Sequence, residues 1–197
     1  GWGFTINDEI ENLRAAQEHL KIVNLGATAI GTTVTAAPGY PELAVKNLAE
    51  LTGIDFKNSE DLIAATSDCG AYMTLSSAIK GLAVKMTKVC NDIRLLASGP
   101  RCGLKEINLP QLQPGSSIMP GKVNPVAAEV ANQASFLAIG LDTTVMLAAS
   151  AGQLELNVME PVITYALYTQ MKVMTNACDT LRKKLVEGVT ANTERCK

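Results

Sequence analysis

Tyr72-Met73-Thr74-Leu75-Ser76-Ser77-Ala78-Ile79-Lys80-Gly81-Leu82-Ala83-Val84-Lys85-Met86-Thr87-Lys88-Val89-Cys90-Asn91-Asp92-Ile93-Arg94-Leu95-Leu96 carries the most regular apolar pattern in the sequence. Tyr72, Leu75, Ile79, Leu82, Met86, Val89, Ile93 and Leu96 follow one another at alternating spacings of three and four. A helix brings such positions onto one face, and a seam of this length marks a long bundle helix. Its start is expected near Asn58 or Ser59, where a short polar side chain can cap the first turn and Glu60 and Asp61 meet the positive end of the helix dipole. Gly99-Pro100 is its expected stop.

Outward from this seam the pattern repeats. Towards the N-terminus, Thr5 and Asp8 resemble a capping box, and Ile6, Ile10, Leu13, Leu20 and Val23 predict a helix from about Ile6 to Val23. The Gly- and Ala-rich run Asn24 to Thr32 follows, Pro38-Gly39-Tyr40-Pro41 breaks the chain, and a short helix is expected from Glu42 to Leu51, closed by Gly53. Towards the C-terminus a helix is expected from about Val126 to Ala149. A third long one has Pro161 at its first turn and an apolar stripe of Ile163, Leu167, Met174, Leu181 and Leu185.

Composition agrees with an all-α chain. Of 197 residues 47% are hydrophobic, yet only 4% are aromatic, so the interior is built from Ala, Leu, Val, Ile and Met, which favours closely packed helices. The expected fold is an elongated bundle of long helices, and its nearly all-round apolar surfaces call for an oligomeric core.

The formal charge of −2, without long blocks of either sign, argues against nucleic-acid binding. The most apolar stretch, Ala134 to Ala151, is interrupted by Asp142, Thr143, Thr144 and Ser150, which argues against a membrane span. Five cysteines without a C-x-x-C pair, and a single histidine, His19, leave no recognisable metal site and point to a reduced, cytoplasmic protein. His19 is read as a helix-face residue. The chain begins at Gly1 without a targeting segment and reads as an excerpt.

Between the long helices, Arg101 to Asn124 is rich in Pro and Gly and reads as a long loop of the functional kind. Within it, Gly115 and Gly121 give backbone freedom, Ser116 and Ser117 two adjacent hydroxyls, Lys122 a positive charge and Asn124 a donor and an acceptor. These groups suit a small anionic ligand. A phosphate-binding P-loop does not fit, because five residues separate Gly115 from Gly121 and Val123 stands where the Mg²⁺-binding hydroxyl is required.

The run Gly115-Ser116-Ser117-Ile118-Met119-Pro120-Gly121-Lys122-Val123-Asn124-Pro125 resembles the signature loop of the fumarase/aspartase superfamily, whose members eliminate ammonia, water or an amine from succinyl-type substrates to release fumarate. Four flanking strings, Asn24 to Thr32, Ala64 to Tyr72, Glu106 to Pro110 and Ala151 to Ile163, look like the aspartase branch. After the loop, fumarases typically read N-P-T-Q-C-E, where this chain has Asn124-Pro125-Val126-Ala127-Ala128-Glu129. Two positions depart from the pattern: Ala128 stands where Pro is common, and Leu141 where G-N-D would place Asn.

The resemblance implies that residues 1–197 form the central helical, oligomerisation domain, without the N-terminal and C-terminal domains. It implies Ser116 as the general base, and Ser117 and Met119, the latter through its backbone, as stabilisers of the aci-carboxylate intermediate. Lys122 and Asn124 would hold the other carboxylate, Glu129 would support the polar network beside Lys122, and Gly115 and Gly121 would be hinges. It also implies a small dicarboxylate substrate, L-aspartate or fumarate, a homotetramer, and no cofactor beyond activation by a divalent cation. The family's site is assembled from three segments of three subunits, and only one occurs here, so this polypeptide alone is expected to be inactive. A class II fumarate hydratase and a non-catalytic helical oligomerisation core are the competing readings.

Overall fold

The computed structural model describes residues 1–119 and 121–197; Pro120, in the signature loop, lies outside the described residues. The α-helices are α1 (Trp2–His19), α2 (Tyr40–Thr52), α3 (Ala64–Ser67), α4 (Gly70–Leu96), α5 (Val126–Ala149) and α6 (Glu160–Lys184). The strands are two residues long each: β1 (Ile22–Val23) pairs in parallel with β2 (Lys57–Asn58), and β3 (Ile107–Asn108) pairs antiparallel with β4 (Thr190–Ala191). The all-α class expected from composition is the class observed, and α5 has the expected bounds.

The bounds of α1 and α4 depart furthest from the sequence reading. The first helix starts at Trp2, and Thr5 lies inside it, its hydroxyl donating back to the Gly1 carbonyl at 3.1 Å instead of capping. This helix ends at His19, because Ile22 and Val23 leave it to pair with Lys57 and Asn58. The seam helix starts at Gly70, not near Ser59. Ser59 and Asp61 do cap a turn: the Asp61 carboxylate accepts from the Ile63 and Ala64 N–H groups at 2.9 and 3.0 Å. The helix they begin, α3, stops after one turn, where Asp68 is extended.

The chain gathers into two compact units, one of residues 1–6, 80–140 and 169–197, the other of residues 7–79 and 141–168. In the first, α4 buries Ala83, Met86, Cys90 and Ile93, α5 buries Ala127, Ala128, Ala131 and Ala138, and α6 buries Met174, Ala177 and Leu181, with Leu185 buried just after it. Buried polar side chains cross-link these helices. Asn132 of α5 donates to Asn91 Oδ1 of α4 at 2.8 Å, and Gln170 of α6 donates to the Ala138 carbonyl of α5 at 2.9 Å. The Trp2 indole N–H donates to Asp92 at 3.0 Å and pins the start of α1 to α4.

In the second unit, Cys69, Val145, Ala148, Ile163, Ala166 and Leu167 form the core, flanked by Leu75, Leu141 and Ala149. Ser76 donates to the Asp142 carboxylate at 2.7 Å within it. Asn157 joins two helices with one side chain. Its amide donates to the Ala148 and Ala149 carbonyls, both at 3.1 Å, at the end of α5, and its oxygen accepts the Met159 N–H at 2.9 Å before α6. Gly31, at φ +81, is required: a Cβ there would lie 2.3 Å from the Ile63 Cα.

Burial on α4 resolves the predicted seam. Ile79, Met86 and Ile93 are buried together with Ser76, Ala83 and Cys90, whereas Leu75, Leu82, Val89 and Leu96 on the other flank are only half-buried. On α5, Val130, Phe136, Leu137, Met146 and Leu147 are exposed. These residues leave an apolar face of α5 uncovered among the described residues.

Ile163 is 1% exposed, so Ile163→Ala is expected to cost about 2–5 kcal/mol, measured by denaturant unfolding of the full-length protein. All five cysteines are free, and burial pushes the Cys90 thiol up to about 11. At pH 8 a thiol reagent is therefore expected to label exposed Cys102 and Cys196 rapidly and Cys90 only after unfolding.

Candidate active site

The signature loop is closed at its base. The Asn124 amide donates to the Gly115 carbonyl at 3.2 Å, and a Cβ on Gly115 would sit 2.3 Å from the Lys122 carbonyl oxygen. Gly115 is thus required by backbone approach. Gly121 has φ +80 and open space around the position of a Cβ, so it is required by conformation alone. Between them the Lys122 N–H donates to the Met119 carbonyl at 3.2 Å, a turn that brings Lys122 back towards Gly115.

Beside this base lies a cleft of about 810 Å³. Met119, Gly121, Lys122 and Asn124 line it from the loop, Glu129 from the first turn of α5, Arg94 from the last turn of α4, and Lys105 and Asn108 from the segment before the loop. Glu129 is placed by Pro125-Val126: its N–H donates to the Pro125 carbonyl at 3.0 Å, so the helix begins as the loop ends. Arg94, Lys105 and Lys122 are the basic lining residues and Glu129 the acidic one. The lining therefore favours an anion with more than one negative charge.

Of the residues named from sequence, Met119, Gly121, Lys122, Asn124 and Glu129 meet at this cleft, while Gly115, Ser116 and Ser117 do not line it. The Ser116 hydroxyl oxygen accepts the Ile118 N–H at 3.1 Å. That contact caps a turn. Sequence reasoning missed Arg94, Lys105 and Asn108. Arg94 is absorbed in the seam pattern, where a basic residue in a last turn reads as a dipole partner. Asn108 lies in the string Glu106 to Pro110, which served the sequence reading only as a resemblance, and Lys105 directly precedes it.

His19 ends α1 in the other unit, beside Asp68, Tyr72 and Glu160 around a second cleft of about 430 Å³. Among the described residues no three of His, Cys, Asp and Glu come together as a metal site. No helix is long and apolar enough to cross a membrane, again among the described residues.

The two glycines are separable by substitution. Gly115→Ala is expected to displace the Lys122 backbone and weaken binding of a small dianion about tenfold, whereas Gly121→Ala, free of steric conflict, costs only about 1–2 kcal/mol of backbone strain. Fumarate titration by calorimetry and thermal unfolding of both variants, in the full-length protein, measure the difference.

Comparison with known proteins agrees with the loop. The chain is 59% identical over 191 residues to an aspartate ammonia-lyase of Escherichia coli strain K12, an alignment covering 97% of this chain and 40% of that protein. The chain thus spans about two fifths of the length of the curated relatives it matches. Its fold matches the crystal structure described as fumarate lyase:delta crystallin from Brucella melitensis bound to cobalt, with a TM-score of 0.96 and 45% identity over 99% of this chain and 42% of that one. A recombinant class II fumarase from Schistosoma mansoni matches with a TM-score of 0.93 and 30% identity over 99% of this chain and 44% of that one. A family model described as lyase matches residues 1–140, well over half of the 197 residues, and the chain belongs to that lyase family.

Proposed function

We propose that the full-length protein is an aspartate ammonia-lyase, converting L-aspartate reversibly to fumarate and ammonia. The observation that carries this reading is the cleft in which Lys122 and Asn124 of the signature loop meet Glu129 of α5. Aspartate is favoured over malate by the flanking strings and by the higher identity to aspartate ammonia-lyases, 59% for the one from Escherichia coli strain K12, than to the class II fumarase, 30%.

Lys122 and Asn124 hold one carboxylate of the substrate, the first by charge and the second as a directional donor. Ser116, as alkoxide, takes a proton from the carbon beside the other carboxylate. The electrons of that C–H bond move into the carboxylate and give a doubly charged aci-carboxylate, and Ser117 and the N–H groups around Met119 stabilise it. Return of those electrons forms the carbon–carbon double bond as the C–N bond breaks and ammonia leaves.

A serine is a weak base in water. Closure of the loop about Gly115 and Gly121, with exclusion of water and delivery of the hydroxyl among N–H donors and cations, makes the alkoxide accessible. Ser116 does not line the cleft, so this role requires the loop to move. Glu129 supports the ammonium of Lys122 from α5.

The exposed apolar residues of α5 fit a homotetramer whose sites are completed by neighbouring subunits. The five free cysteines fit a reducing cytoplasm. The chemistry as written needs no cofactor, and adding or chelating Mg²⁺ in the assay reads any activation by a divalent cation.

The full-length protein is expected to generate fumarate, followed by its ultraviolet absorbance, from aspartate and not from malate. Fumarate from malate alone would replace this reading with a hydratase, and turnover of neither would favour a non-catalytic helical core. Ser116→Ala is expected to lower kcat at least about a thousandfold with substrate binding retained; normal turnover by that variant would exclude Ser116 as the base.

A further inference from the structure

The wall of the cleft that contains Lys105 and Asn108 is held by residues 190–195. Strand β4 pairs with β3, setting Ala191 opposite Ile107 and Thr190 opposite Asn108. Beyond it the Asn192 N–H donates to the Glu106 carbonyl at 2.7 Å, and the Asn192 side-chain amide donates to the Lys105 carbonyl at 3.0 Å. Arg195 donates through Nε to the Leu104 carbonyl at 3.0 Å and through Nη2 to the Gly103 carbonyl at 3.3 Å. Four successive carbonyls, 103 to 106, are thus captured by two residues.

What this clamp secures is an unusual backbone. Lys105 has φ +53, a left-handed conformation that a lysine adopts only under constraint. Its N–H is drawn the other way, to the Ser98 carbonyl at 2.8 Å, and the Glu106 N–H to the Leu96 carbonyl at 2.9 Å. The segment is therefore fixed from both sides, by residues 96–98 at the end of α4 and by the strap of residues 190–195, with Lys105 on the wall of the cleft. Neither Lys105 nor Arg195 makes an ion pair among the described residues.

We propose that Lys105 is a substrate-binding cation of this cleft, and that Asn192 and Arg195 are positioning residues that act through it by holding the 103–106 backbone in the conformation that presents its ammonium to a dicarboxylate. The inference rests on the dicarboxylate reading of the same cleft. Its electrostatic basis is that the second negative charge of a dicarboxylate is met by a cation besides Lys122; the lining offers Arg94 and Lys105, and of these the strap holds Lys105 in place before the ligand arrives.

The test is a double-mutant cycle in the full-length protein. Lys105→Met is expected to raise the KM for aspartate about tenfold with kcat within about twofold, because a contact made equally in ground and transition states is lost. Asn192→Ala and Arg195→Ala are expected to raise KM about threefold to fivefold, and to add less than about 1.5-fold when introduced beside Lys105→Met. Arg195→Lys, which keeps one donor, is expected to recover part of the loss. An unchanged KM in Lys105→Met overturns the proposal, as does a clamp variant whose effect is the same with and without Lys105. Wild-type turnover of aspartate separately decides the functional reading. If the wild type is inactive, the same cycle is read from succinate binding by calorimetry, where an unchanged Kd in Lys105→Met again overturns the role of Lys105.

Discussion

The inner face of α5 is made of alanine, and the rest of the first unit depends on it. Ala127, Ala128, Ala131 and Ala138 are each at most 4% exposed, so neighbouring backbones can come close enough for side chains of ordinary length to reach across. Asn132 then meets Asn91 and Gln170 meets the Ala138 carbonyl, and both contacts would be lost if larger residues held the helices apart. These buried polar contacts also fix helix register, which a face of alanines alone leaves unspecified. Register matters here because Glu129 on α5 and Arg94 on α4 each lie within one turn of a residue in the Asn132–Asn91 contact. The positions of two groups on the cleft are thereby tied to the packing of the core.

The long helices were legible because their patterns are long. The bounds of α5 and the stripe of Ile163, Leu167, Met174 and Leu181 on α6, continued by Leu185 just beyond it, follow from periodicity, and each of those five residues is buried. The misplaced boundaries at Thr5 and Ser59 arise where a local signal is real but tertiary pairing overrides its extent. Ser59 and Asp61 do begin a turn, yet the chain bends again at Asp68 before the seam helix starts. Similarly, Ile22 and Val23 continue an apolar helical pattern but pair with residues 57 and 58, a partner that no local pattern predicts.

The site was legible in part for a comparable reason. Lys122, Asn124 and Glu129 belong to one contiguous motif and to the helix it starts, so a single run of residues contains them. Lys105 is brought to the same cleft by a strand pairing with residues 190 and 191, and Arg94 by the end of a helix whose periodicity reads as packing. Contributions from distant segments carry no spacing that a sequence can display. The same limit covers Gly115, whose lack of a side chain reads as freedom in sequence but is imposed by the nearby Lys122 carbonyl in the fold.

The bond between α5 and α6 through Asn157 has a consequence for how the chain can break apart. One side chain both terminates α5 and initiates α6, so fraying at either helix end releases the partner of the other. The two ends should therefore open as one cooperative step, with amide protons on both sides of the turn exchanging at a common rate, instead of fraying independently as helix termini usually do. Such coupling makes the turn between α5 and α6 a single unit of opening, held by the amide of residue 157.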